Sequence, residues 1–279
     1  MLIKCWGSRG SIPVSGQEYI RYGGDTACVE IRTGNGHIII IDAGTGIRRL
    51  GNALLDEGRF SYDIIFTHAH WDHLMGFPFF KPIYREEVEI RIQGCPFAQK
   101  FVETMLSKVM SPPNFPVRFG DVRARINQEP SCPELFEIGG VSILPIRLSH
   151  PNQGNGYKFT ENGRSFVFLT DNELGFVHKG GLPFEAYREF CTGADLLIHD
   201  GEYTEQEYRT AIQWGHSTYE SALELGLAAG VKRLGLFHLN QDRTDSDVDR
   251  IVEVCRQKVR REASEIECFA VAADMSFEV

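Results

Sequence analysis

Six apolar runs in this chain stop on a histidine or an aspartate. Five end at Asp42, His68, His150, Asp171 and His238, and a sixth ends at the pair His199-Asp200. Each run has the length and apolar content of a buried strand. In open α/β sheets the functional groups gather at the carboxyl ends of the strands. The pattern therefore predicts a sheet-built protein whose strand ends meet at one site. The densest point is Thr67-His68-Ala69-His70-Trp71-Asp72-His73. Four side chains able to bind metal fall there within six residues, directly after the apolar run Tyr62-Asp63-Ile64-Ile65-Phe66.

The rest of the chain reads as strands in clusters with helices between them. Residues 2–6 form an opening strand. Residues 28–33 and 37–41 form a hairpin across Gly34-Asn35-Gly36, and residues 135–138 with 141–148, and 156–160 with 165–169, form two more. Helices are expected at 47–55, 96–109, 184–190, 218–229 and 246–262, the last capped by Ser246. The second carries Phe97, Phe101, Met105 and Val109 on one face. Residues 267–271 read as a closing strand. Pro112, Pro113 and Pro116 forbid regular structure and leave a loop that carries Phe115. Gly7-Ser8-Arg9-Gly10-Ser11-Ile12-Pro13 is glycine-rich, but Pro13 and Gly16 deny it the following helix that a phosphate cradle needs, so it reads as structural. With no repeat or linker, residues 1–279 are expected to form one domain, sheets inside and helices outside.

Charge and cysteine usage narrow the function. The net charge is −9, which works against nonspecific binding to a phosphate backbone. Seven cysteines are scattered without a C-x-x-C pair. That argues against a disulfide framework or a thiolate zinc site, and for a reducing compartment. No apolar run approaches the ~20 residues of a membrane helix, and the first residues lack a leader pattern. A cytoplasmic setting is expected, with no membrane partner.

Histidine and aspartate are ligands that zinc favours. One ion cannot take four residues of the 67–73 loop together with the later strand ends. Two ions can, if one carboxylate bridges them.

The motif T-H-x-H-x-D-H after a buried strand resembles the signature of the metallo-β-lactamase superfamily, and Ser149-His150, Thr170-Asp171 and Phe237-His238 follow in that superfamily's order. Leu196-Leu197-Ile198-His199-Asp200-Gly201-Glu202 and Gly215-His216-Ser217-Thr218 are similar to its ribonuclease Z and phosphodiesterase branch. The resemblance spans nearly the whole chain and implies an α/β fold, the four-layer αβ/βα sandwich. It implies one metal on His68, His70 and His150, another on Asp72, His73 and His238, and Asp171 between them. Zinc is the expected ion, with manganese or iron as alternatives. His216 and Asp72 are the catalytic candidates. A hydroxide between the metals would attack phosphorus, and His216 would serve the leaving group. Asp42 and His199 are expected behind the ligands, and Phe115 and Asn240 beside the substrate.

The same resemblance orders the chemistries. Redox members of the superfamily carry glutamate where this chain has His70. Transfer-RNA processing enzymes carry a long basic arm, whereas only 20 residues separate His150 from Asp171 here. The expectation is a small phosphodiester substrate, such as a cyclic nucleotide or cyclic phosphate. A transfer-RNA 3′-processing endonuclease and a metal-bound sensing module without turnover are the alternatives. Relatives imply a homodimer, with the contact expected at residues 97–109 and 112–116.

Overall fold

The strands alternate their side chains between two apolar environments, and this sets the layering. In Ile38–Ile41, Ile39 and Ile41 belong to one core and Ile38 and Ile40 to another, as the period of two dictates. A strand covered on both faces reads as a continuous apolar run, which is why these segments stood out in the sequence.

The computed structural model describes residues 1–93, 102–128 and 134–279. The first sheet takes β1 (Leu2–Gly7), β2 (Cys28–Arg32), β3 (Ile38–Ile41), β4 (Ser61–Ile65), β5 (Glu89–Gln93) and β6 (Arg125–Gln128). The second takes β7 (Phe136–Ile138), β8 (Val141–Arg147), β9 (Asn155–Glu161), β10 (Arg164–Leu169), β11 (Leu196–Asp200), β12 (Arg233–Phe237) and β13 (Glu267–Ala270). A last strand, β14 (Ser276–Glu278), returns to the first sheet beside β1. The strand orders are β14-β1-β2-β3-β4-β5-β6 and β13-β12-β11-β10-β9-β8-β7. Each sheet is antiparallel in one half and parallel in the other, with β3 to β6 and β10 to β13 parallel.

A core rich in isoleucine and phenylalanine lies between the sheets, where Ile31, Ile41 and Ile65 share one cluster with Phe159, Phe168 and Phe237. Helices cover both outer faces. The helices are α1 (Ile47–Asp56), α2 (Trp71–Leu74), α3 (Val102–Val109), α4 (Phe184–Cys191), α5 (Glu205–Ala211), α6 (Tyr219–Ala229) and α7 (Asp245–Arg261). Leu50 and Leu54 of α1 pack on the first sheet, and Tyr187, Leu223 and Val252 of α4, α6 and α7 on the second. The result is the expected four-layer sandwich. Among the described residues no helix is long and apolar enough to cross a membrane.

Some boundaries differ from the sequence reading. The last helix is capped by Thr244 in a capping box with Asp247, not by Ser246, because Thr244 places its hydroxyl on the Asp247 N–H while Asp247 reaches back. The closing strand is β14 rather than 267–271, whose last residue lies beyond β13. Short β6, α2 and α5 carry too little periodicity to read from sequence. The expected start of the 96–109 helix, including Phe97 and Phe101, lies outside the described residues.

A candidate metal centre at the strand ends

Strands β3, β4, β10, β11 and β12 deliver their carboxyl ends to one place. Asp42 follows β3, Asp171 lies two residues past β10, and His238 follows β12. All three take a left-handed backbone, with φ of 61°, 55° and 54°. This conformation is unusual for residues other than glycine, and it turns each side chain off the strand axis. The loop from β4 carries His68 and His70 into α2, whose first turn holds Asp72 and His73.

Among the described residues three groups of potential ligand atoms result: Glu202 with His216 and His238, and two larger groups that meet at Asp171. His68, His70, His150 and Asp171 form one, and Asp72, His73, Asp171 and His238 the other; within each, the atoms lie within 4.8 Å of one another. Asp171 belongs to both. Its Oδ2 is 3.3 Å from His68 Nε2 and 3.4 Å from His238 Nε2, and its Oδ1 is 3.3 Å from His73 Nε2. His70 Nδ1 and His150 Nε2 are 3.0 Å apart, and His238 Nε2 is 3.0 Å from Asp72 Oδ2. Ligands about 2.0–2.1 Å from a tetrahedral ion sit about 3.3 Å from one another, so these spacings match such a shell.

The residues fit a metal on a second count. Nε2 of His68 and Nε2 of His73 are buried and make no hydrogen bond, although Asp171 lies close to both. A buried polar nitrogen without a partner is costly, and both atoms point where a cation would bind them. The electrostatics agree. Burial, reinforced by His68, pushes His70 down to about 4, and the same two causes hold His150 well below the usual imidazole range. Both are therefore neutral ligands near neutral pH. Burial alone would raise the carboxyls of Asp72 and Asp171, but surrounding histidines hold both well below their ordinary value. Burial also works against charge on His73 and His238, and the carboxylates, Asp171 first, still push both well above the imidazole range. The site calls for positive charge that a metal ion would bring.

Three of the rings are oriented from behind, which fixes the nitrogen left to face the centre. Asp42 lies 2.8 Å from His73 Nδ1 and accepts from the Thr67 N–H and hydroxyl. His150 Nδ1 donates to the Gly215 carbonyl at 2.8 Å. Glu202 lies 2.8 Å from His238 Nδ1. His216 stacks on His238 at 4.5 Å between ring centroids and meets His150 edge-on at 5.3 Å. Its Nδ1 lies 3.3 Å from Asp200 and 3.5 Å from Glu202. Burial opposes charge there, but Glu202 and then Asp200 outweigh it and push His216 up to about 9.

The structure gives partners to three further residues that the sequence singled out. His199 bonds the Asn172 side chain and the Asp200 carbonyl rather than a candidate ligand, so it braces the segment behind Asp171. Asn240 turns its amide onto Glu202 at 3.0 Å, which commits it to orienting the His238 partner. Phe115 stands edge-on to Phe79 at 5.6 Å and packs on the first-sheet core.

The glycine-rich loop proves more than structural. Ser11 donates its N–H to Asp72 at 3.0 Å, and Gly10 presses on the His238 ring so closely that a Cβ there would lie 2.1 Å from Nδ1. Gly215, at φ 97°, stands equally close to His150. Buried Glu173 accepts from the N–H groups of Gln213 and Gly215 and from Tyr208, and so shapes the turn before His216. No sequence pattern announced Glu173. Glu202 lay two residues beyond a strand end that the sequence did mark.

Comparison with known proteins agrees with this geometry. The model of the beta-lactamase superfamily domain matches residues 37–239. A ribonuclease Z from Thermococcus onnurineus is 25% identical over 250 residues, covering 73% of this chain and 76% of that protein. In structure, a diphosphatase from the PhnP family is similar with a TM-score of 0.69 at 18% identity, covering 100% of this chain and 97% of that one. Human tRNase Z, short form, gives 0.66 at 19% identity, covering 100% and 99%. With the family model spanning most of its length and the clustered strand-end histidines and aspartates within that span, the chain belongs to the beta-lactamase superfamily.

Proposed function

We propose that the protein is a two-metal phosphodiesterase acting on a small phosphodiester, such as a cyclic nucleotide or cyclic phosphate. The observation that carries this reading is Asp171, shared by two ligand clusters, with His216 stacked directly over one of them. His68, His70 and His150 would hold one divalent ion and Asp72, His73 and His238 the other, with zinc the expected metal. Such a pair supplies an acidified water and offsets negative charge on the phosphate oxygens.

The chain's own residues do the rest. His70 and His150, kept neutral by burial, offer lone pairs without first losing a proton. Asp42 and Glu202 hold His73 and His238 in fixed tautomers. His216, held protonated by Glu202 and Asp200, is placed to give a proton to a leaving alkoxide. Free, buried cysteines at 5, 28, 191, 255 and 268 support a reducing, cytoplasmic setting.

Transfer-RNA 3′-end processing is the second reading, favoured by the ribonuclease Z name of the Thermococcus relative. Against it, the segment between His150 and Asp171 is occupied by the compact β9–β10 hairpin turning at Asn162-Gly163. That leaves no arm within this segment to grip a large polyanion.

Turnover of bis(4-nitrophenyl) phosphate and a panel of cyclic nucleotides, with zinc or manganese added, tests the first reading. Cleavage of precursor transfer RNA under the same conditions tests the second. Metal-dependent cleavage of the small diesters alone supports the first; the absence of turnover on every diester would sink it.

A further inference from the structure

A cavity of about 330 Å³ adjoins the loop that carries His68 to His73, lined by Ala69, Trp71, Leu74, Met105, Lys108, Val109 and Asn114. Its position follows from helix geometry. Asp72 and His73 use one side of α2 for the centre, while Trp71 and Leu74, three residues apart, share the other. Met105, Lys108 and Val109 lie on one face of α3 by the same spacing. Ala69 and Trp71 are the chain neighbours of His70, so the ligand loop itself supplies part of the cavity wall. Trp71 is 61% exposed, although a large aromatic normally buries most of its surface. Lys108 is exposed and has no ion-pair partner among the described residues.

We propose that this cavity receives the planar ring of the substrate, the nucleobase of a nucleoside phosphodiester, stacked on Trp71 with Lys108 adding a positive charge at the mouth. The inference rests on the phosphodiesterase reading and adds the class of the substituent. An indole face stacks on any base, the aliphatic walls suit a flat apolar ring, and the volume admits one ring system.

The test compares thymidine 5′-(4-nitrophenyl) phosphate with methyl 4-nitrophenyl phosphate, which share a leaving group and differ in the nucleoside. Metal-loaded protein is expected to favour the nucleoside ester by about tenfold or more in kcat/KM, as one stacked base provides. Trp71→Ala, and Val109→Glu, which puts a carboxylate in the cavity, are expected to bring that ratio toward one. Taking the ratio within each variant cancels any loss of folded or metal-bearing protein. A wild-type ratio near one, or a ratio that both variants keep, overturns the subsite. So does a changed oligomeric state with the ratio kept, which assigns the face to a second copy of the chain. If neither ester is cleaved, the phosphodiesterase reading fails and thymidine quenching of tryptophan fluorescence decides the cavity alone. Quenching that disappears in Trp71→Phe supports it, and no quenching of the wild type overturns it.

Discussion

The Glu202 carboxylate lies 2.8 Å from Nδ1 of His238, on the ring edge opposite Asp72. It therefore sets which nitrogen of His238 faces the centre. The same oxygen is 3.5 Å from His216, so one carboxylate braces a candidate ligand and the candidate acid together. Glu202→Ala is expected to weaken metal binding about 10- to 100-fold, the usual cost of losing a carboxylate behind a ligating histidine. Glu202→Gln, which keeps an acceptor, should recover most of it. Competition against a chromophoric chelator measures both, and equal affinity in Glu202→Ala and wild type would refute the bracing role.

Gly10 and Gly215 should each disable a different half of the site. A Cβ at Gly10 would meet His238, and one at Gly215 would meet His150, each at 2.1 Å from Nδ1. Gly215 also sits at φ 97°, where an alanine is strained whatever the space. Each alanine variant is expected to lose about one metal ion of two and about 100-fold in rate, since small misplacements of a reacting group carry costs of that order. Elemental analysis per folded monomer checks the loss. Full metal content in both variants would mean the rings tolerate the intrusion.

Removing Asp171 should differ from removing His216. Asp171→Ala takes away the side chain common to both clusters and is expected to lose metal and activity together. His216→Ala is expected to keep its metal and lose about 10²- to 10⁴-fold in rate, the range for a positioned proton donor. Equal metal loss in the two variants would refute the division of roles.

Chelation should cost stability as well as activity. The metal-free site holds two unpartnered buried nitrogens and a knot of buried carboxylates. An ion present at about 1,000 times its dissociation constant adds about 4 kcal/mol to the folded state. For a chain of this size that is roughly 10 °C in melting temperature. Calorimetry with EDTA and with zinc restored gives the shift, and an unchanged midpoint would count against a preformed site.

How much of this was legible in the sequence depends on the residue. His68 to His73 stood out because four candidate ligands in six residues after a buried run have no ordinary explanation. His150, Asp171 and His238 were legible through their shared place at strand ends and through resemblance to a known family. The layering followed from runs such as Ile38–Ile41, apolar on both faces. Glu202, Glu173 and Gly10 were not legible, because their roles depend on contacts with residues 36, 42 and 228 positions away. Asn240 shows the same limit, because only the fold reveals its amide bonded to Glu202.

The left-handed backbone at Asp42, Asp171 and His238 has a consequence for the protein's history under selection. Such a conformation costs on the order of 1 kcal/mol at each non-glycine residue, and glycine or asparagine would relieve it. Asp42 recovers that cost through its buried hydrogen bonds to Thr67 and His73, whereas Asp171 faces buried histidine nitrogens that lack a hydrogen bond. A library selected for heat resistance alone, without metal or substrate, is therefore expected to drift toward glycine or asparagine at Asp171 while keeping Asp42. The same library selected for turnover should hold them fixed.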